Sequence, residues 1–315
     1  MKILFHENAL CARGTSVALF DYAYFCKKMF KFDCYIVHNI NHPANDLTAI
    51  KKFNDEFDNV KSYSNFEELQ NIIQEIKPDA FFMEKSGPYD GVISNCCLNW
   101  IHAIAPCRID QKYGDRFAMG SKWLSELSNN LIDYVPYMVN LPKHKDNFRK
   151  EFNIPNDAIV FGRNGGRDTF DLQFVKEAVK DIIKKRNDIY FLFQGTDVFY
   201  EHERVIHIAT SSDLYTKVKF INSTDALIHA RELGESFGAT CAEFSTLNKP
   251  VITWAGSRER NHIDALGEKG FFYNNYNEVY NIFNTFTPDA SKDWNCYKDS
   301  HPYIVMEKFK QIYIT

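Results

Sequence analysis

The chain has 315 residues, 45% of them apolar and 15% aromatic, enough to fill two cores of ordinary domain size. Its 37 basic and 41 acidic residues leave a net charge of −4, which excludes the basic face that general nucleic-acid binding needs. The eight cysteines include no C-x-x-C pair and no metal-ligand spacing, so they read as reduced thiols used as small core residues.

Residues 2–5 (Lys-Ile-Leu-Phe) turn polar at His6, too early for a signal peptide, and predict a first strand. No run approaches the roughly 20 apolar residues of a membrane span. The expected location is the cytoplasm, with peripheral membrane contact left open. A small-residue turn at 12–16 leads into helical periodicity over 17–30 (Val17, Phe20, Ala23, Tyr24, Met29). Strands are predicted at 35–38, 80–83 and 100–105. Between them lies an amphipathic helix over 66–76, stopped by Pro78. Pro136, Pro142 and Pro155 break the pattern, marking residues 141–157 as a connection with a short helix near 145–152.

The alternation restarts. A strand at 158–162 runs into the turn Asn164-Gly165-Gly166-Arg167. A helix over 170–185 follows, then strands at 189–194 and 226–229, the segment Gly234-Glu235-Ser236-Phe237-Gly238, a helix through 247, a strand at 250–254 and a last helix at 304–313. Strand–helix alternation on this scale predicts two α/β lobes, each a mostly parallel sheet covered on both faces. Such sheets bind ligands beyond the carboxyl ends of their strands.

The segment from Gly234 to Glu243 carries the chemistry. Glu235 falls in a loop and Glu243 about two turns into the following helix, with seven residues between them. Amides at that helix start suit a phosphate, and Gly238 permits close backbone approach. A carboxylate there needs hydrogen-bond donors, which sugar and ribose hydroxyls supply.

With the following Asn248-Lys249-Pro250-Val251-Ile252, this segment resembles the E-x7-E region of retaining GT-B glycosyltransferases related to family 4. The resemblance is specific over about 158–253 and mainly topological before that. It implies a GT-B fold, two Rossmann-like lobes facing each other across a cleft. Residues 1–140 would form the acceptor-side lobe and 158–292 the nucleotide-sugar lobe, while 293–315 would cross back to the first lobe. It implies that Glu235 faces the donor sugar and Glu243 the nucleotide ribose, with the amides of Ser236, Phe237, Gly238 and Ala239 near the diphosphate. A basic pair would hold that diphosphate; Arg163 and Arg167 fill its places, the second departing from the usual Lys. Gly14, the donor-side candidate of the first lobe, can let the donor or acceptor approach at a helix start, although Gly-Thr-Ser also suits simple capping. Arg231, just before the glutamate loop, would anchor that loop or touch phosphate, with loop support the preferred role.

The resemblance also asks for a histidine from the first lobe at the reacting sugar, and His102 is the catalytic candidate. Lys85, Ser86 and Gly87 are the acceptor-side candidates. The implied reaction moves a sugar from a nucleoside diphosphate sugar to a glycan hydroxyl, with retention. No D-x-D motif is present, so no metal or cofactor is expected beyond the donor itself. A sugar-nucleotide epimerase or hydrolase of the same fold, or a non-catalytic sugar-nucleotide-binding protein, stays open at this point.

Overall fold

The computed structural model describes residues 1–11, 13–86 and 89–315. It divides the chain into two compact units, Met1–Asn140 with Asp299–Thr315, and Leu141–Lys298.

The first unit contains β1 (Lys2–Glu7), α1 (Gly14–Phe30), β2 (Asp33–Asn39), α2 (Leu47–Glu56), β3 (Val60–Tyr63), α3 (Phe66–Ile76), β4 (Ala80–Lys85), β5 (Leu98–Ala103), β6 (Arg116–Met119) and α4 (Lys122–Leu127). Its six strands pair in parallel in the order β3-β2-β1-β4-β5-β6. Alternation sorts their side chains onto two faces: Ile3 and Phe5 pack with Phe82 and Trp100 on one, while Leu4, Phe81 and Ile101 pack on the other. Helix α3 forms where expected because Asn65 caps it, accepting from the Glu68 amide. Helix α1 begins earlier than expected, at Gly14. The Ser16 hydroxyl turns back to accept from the Cys11 amide at 3.0 Å, which shortens the preceding turn.

The second unit contains β7 (Ile159–Asn164), α5 (Gln173–Lys185), β8 (Ile189–Gln194), β9 (Val205–Ile208), α6 (Leu214–Asn222), β10 (Ala226–His229), the short strand β11 (Gly234–Glu235), α7 (Ala239–Thr246), β12 (Val251–Trp254), β13 (Glu259–Arg260, paired with β11), α8 (Asn261–Leu266), β14 (Phe271–Tyr273) and α9 (Tyr276–Thr285). Its main sheet is also parallel, in the order β14-β12-β10-β7-β8-β9. The helix expected near 145–152 does not form. Only a turn appears, with Phe152 bonded to the Phe148 carbonyl and Asn153 in left-handed conformation at φ 54°. The Arg149 side chain instead binds Asp225 at 2.8 Å and the carbonyls of Ser223 and Ala158, fastening this stretch to the second unit.

The chain then returns to the first unit as α10 (Pro302–Phe309), extended by a π-helical turn, Lys310–Ile314. Phe309 stacks on Tyr22 with ring centroids 5.5 Å apart, and the Tyr313 hydroxyl donates to the Ile101 carbonyl at 2.9 Å. All eight cysteines are free. No helix among the described residues is long and apolar enough to cross a membrane.

Candidate donor site and the carboxyl pair of the first unit

Each sheet changes winding direction once, between β1 and β4 in the first unit and between β7 and β10 in the second. Adjacent crossovers leave on opposite faces at such a point, opening a crevice at the carboxyl ends of the strands. The loops after β7 and β10 carry the glycine turn at 165–166 and the Glu235 segment, so the second unit's switch point collects both motifs. Thr240 joins them, its hydroxyl donating to the Asn164 carbonyl at 3.1 Å.

Glu235 is gripped from two sides. Its Oε1 lies 3.2 Å from His229 Nε2 and its Oε2 3.0 Å from an Arg231 nitrogen. Burial pushes the carboxyl up, but the His229 hydrogen bond and the Arg231 charge outweigh it and hold the group at about 2. Behind Glu235, Thr253 Oγ1 lies 2.9 Å from His229 Nδ1 and 3.1 Å from His262 Nε2. The Phe237 carbonyl accepts from Asn261 Nδ2 at 2.7 Å, which fixes the loop before the helix; Ser236 is partly buried. The amides of Gly238 and Ala239 precede the first intrahelical bond, from the Ala242 amide to the Gly238 carbonyl (2.9 Å), so they stand at the positive end of α7.

Gly238 has φ 90°, and an added Cβ would lie 3.0 Å from the His262 Cβ and 3.3 Å from the Tyr297 hydroxyl. Gly238→Ala is therefore expected to destabilise the second unit by about 1–3 kcal/mol, seen as a lower midpoint in chemical denaturation. A midpoint equal to wild type would show that the turn relaxes without strain.

Glu243 does not stand open. It is 8% exposed, and Lys217 Nζ binds its Oε1 at 2.6 Å. The two expected arginines also part company. Arg163 is 4% exposed and donates to Thr196 Oγ1 at 2.6 Å, to the Gly166 carbonyl at 2.8 Å and to Thr169 Oγ1. Burial lowers its guanidinium to about 10, against the pull of Glu235, so it stays charged near neutral pH. Arg167 is 80% exposed at the side chain, with only a 3.7 Å approach to Asp197. It lines an open cavity of about 290 Å³ with Thr196, Asp197, His207 and Thr210.

The first unit corrects two expectations. His102 does not reach solvent: it is 0% exposed, its Nε2 bonded to the Val135 carbonyl at 2.8 Å, beneath the rings of Tyr22 and Tyr137. Burial lowers the imidazole to about 4, so His102 is a neutral core residue here. Lys85 is likewise buried and bound to Asp90 at 2.8 Å. Ser86 is exposed, and Gly87 lies outside the described residues. Gly14 is exposed at the start of α1, and a Cβ there would meet no described atom within 4 Å, so packing does not demand a glycine.

At this unit's own switch point, Glu7 ends β1 and Glu84 is the last residue but one of the adjacent β4, on the same face. Burial, then the neighbouring Glu84, raises Glu7 to about 8; burial also raises Glu84, although the Tyr137 hydroxyl donates to it at 2.8 Å. Glu7 is thus protonated in the folded chain up to about pH 8 but only to about 4.5 when unfolded. The native state binds the extra proton, so the stability Glu7 contributes is full below 4.5 and is lost as pH rises through 8. The melting temperature of Glu7→Gln is expected to fall less than that of wild type between pH 6.5 and 8. Parallel slopes would remove Glu7 as a source of the dependence.

Sequence reasoning missed His229, Thr253, His262 and Lys217. One signal was available: His229 is a polar residue ending an apolar strand directly before the glycine loop. Among the described residues, no group of three or more His, Cys, Asp or Glu is placed to hold a metal ion.

No family model matches the chain. Two Escherichia coli proteins described as O-antigen biosynthesis glycosyltransferase WclY are similar to part of it. The first is 32% identical over 127 residues, 36% of this chain and 33% of that protein; the second is 31% identical over 126 residues, with the same shares. The match therefore spans about a third of the length of these curated relatives. Solved structures resemble the whole chain. Anabaena Alr3699/HepE in complex with UDP-glucose superposes with a TM-score of 0.71 at 12% identity, covering 99% of this chain and 98% of that one. A glycosyltransferase from Rickettsia africae gives 0.69 at 13% identity, covering 98% and 97%. Sucrose-phosphate synthase from Thermosynechococcus elongatus gives 0.64 at 10% identity, covering 98% and 94%. Two six-stranded parallel sheets with the same winding, in a chain that superposes on these proteins along nearly all its length, have the GT-B fold.

Proposed function

We propose that the protein is a glycosyltransferase that moves a sugar from a nucleoside diphosphate sugar to a glycan hydroxyl. The observation that carries this reading is Glu235. An ionised carboxylate at the switch point of a parallel sheet, held by two donors with lone pairs to spare, suits sugar hydroxyls. Arg163 lies behind the adjoining turn with its fork incompletely used, and the α7 amides face the same loop cluster. Together they suit a diphosphate whose negative charge grows as the glycosidic bond breaks.

UDP is the preferred carrier because the HepE structure holds UDP-glucose. The similarity to the WclY proteins supports a glycan acceptor. Retention belongs to this proposal through the resemblance of the Glu235–Glu243 segment to E-x7-E transferases. Independence of a divalent metal belongs to it because Arg163 supplies a fixed cation. The expected compartment is the cytoplasm, where nucleotide sugars are made.

The test is a thermal-shift screen with UDP, GDP, ADP and dTDP sugars, followed by transfer from the stabilising donor to a glycan acceptor, with and without EDTA. Stabilisation by UDP-glucose with EDTA-resistant transfer is expected. An epimerised or simply hydrolysed sugar in place of a glycoside product would overturn the reading.

A further inference from the structure

The groups behind Glu235 form a row whose hydrogens can be assigned in order. Glu235 is a carboxylate and only accepts, so the 3.2 Å contact requires a hydrogen on His229 Nε2. On the other side of that ring, Nδ1 meets the Thr253 hydroxyl at 2.9 Å. The same hydroxyl meets His262 Nε2 at 3.1 Å. A hydroxyl has one hydrogen to give, and His262 Nδ1 is buried without a partner among the described residues. Buried orphan N–H groups are rarer than orphan acceptors, so the hydrogen of His262 sits on Nε2 and points at Thr253. Burial, then the nearby His229, lowers His262 to about 3, which leaves that ring neutral with a single N–H.

One direction around the row then gives every hydrogen an acceptor within the row itself, with no call on His262 Nδ1. His262 Nε2–H donates to Thr253, the Thr253 hydroxyl donates to His229 Nδ1, and His229 Nε2–H donates to Glu235. The fold supplies the alignment. His229 and Thr253 are register partners on neighbouring parallel strands, and α8 brings the His262 ring to 4.7 Å from the His229 ring. The Tyr273 hydroxyl also pins the His229 carbonyl at 2.8 Å. Thr253 is 0% exposed, so no solvent competes for its hydroxyl.

We propose that Thr253 is a positioning residue, its hydroxyl locking His229 in the tautomer that aims Nε2–H at Glu235 and so fixing the carboxylate that receives the donor sugar. His262 completes the lock by occupying the lone pair that would let the hydroxyl turn round. The second half of this proposal rests on the donor-site reading of Glu235; the tautomer half does not.

The two halves are separated by experiment. Nitrogen-15 spectra of histidine side chains in the wild-type protein, without ligand, are expected to show His229 protonated at Nε2 and bare at Nδ1. A His229 protonated at Nδ1 instead overturns the lock, with no variant needed. Thr253→Val keeps the shape in a buried strand and removes the hydroxyl. It is expected to mix the His229 tautomers and to weaken UDP-glucose binding about tenfold, while UDP, which lacks the sugar, stays within about twofold. Thr253→Ser is expected to restore both readouts. A purely structural role would weaken UDP and UDP-glucose together, and that outcome overturns the proposal, as does unchanged affinity for both. If the spectra match but wild type binds no sugar nucleotide, the donor-site reading fails and the lock stands.

Discussion

Glu235→Gln is expected to lower sugar transfer about 100-fold or more while leaving the fold intact. The carboxylate has two oxygens, and each already takes one donor, His229 Nε2 or an Arg231 nitrogen. Gln has the same shape but one acceptor oxygen, so one of those donors would face an NH2 group. The amide must then turn, and the lone pairs offered to sugar hydroxyls are lost with the charge. Because the carboxyl is held at about 2, against an ordinary 4.5, its contribution to stability is complete above 4.5 and is lost only as pH falls toward 2. Activity near neutral pH should therefore show no acid limb from Glu235. Steady-state rates on UDP-glucose decide the matter, and a Gln variant within threefold of wild type would rule out a role for this carboxylate in transfer.

Arg163→Met is expected to weaken UDP binding by about 10²-fold, the scale of losing charge-assisted hydrogen bonds, and to leave uridine binding nearly unchanged. A guanidinium carries five N–H donors. Thr196, the Gly166 carbonyl and Thr169 engage three of them, and these bonds fix the plane and position of a cation beside the glycine turn. Lys at this position would keep the charge without the fork, and an intermediate loss is expected for Arg163→Lys. Calorimetric titration with UDP and with uridine separates charge from scaffolding. Equal losses for the two ligands would mean that Arg163 acts by holding the 166–169 turn.

The alternation of the two sheets was legible because their inner strands are continuous apolar runs, such as residues 80–83, all buried, and 189–193, buried except for a half-buried Tyr190. The edge-proximal strands were not. Val60–Tyr63 reads Val-Lys-Ser-Tyr, a mixed polar stretch that becomes a strand only because β2 lies beside it. At the site, the helix-start glutamate segment was visible as a local pattern, but its partners were not. Lys217 reaches Glu243 from 26 residues away on another helix, and Thr253 meets His229 only through strand register. His102 shows the opposite error. A histidine in an apolar strand looks like a site residue, but depth is set by the Val135 carbonyl and two tyrosine rings, none of them near it in sequence. Arg163 and Arg167 look equivalent on paper. One is the last residue but one of β7, before Asn164, and is drawn inward, and the other stands past a glycine turn in solvent.

The return of α10 to the first unit orders events during synthesis. Tyr22, Phe82 and Trp100 are translated early, yet Phe309 and Tyr313 cover them only after the whole second unit has been made. On the ribosome the first unit waits with an open aromatic face while the second, continuous from Leu141 to Lys298, completes its own core. Released chains that end at residue 298 should accordingly yield a protease-resistant second unit and a first unit that is still cut.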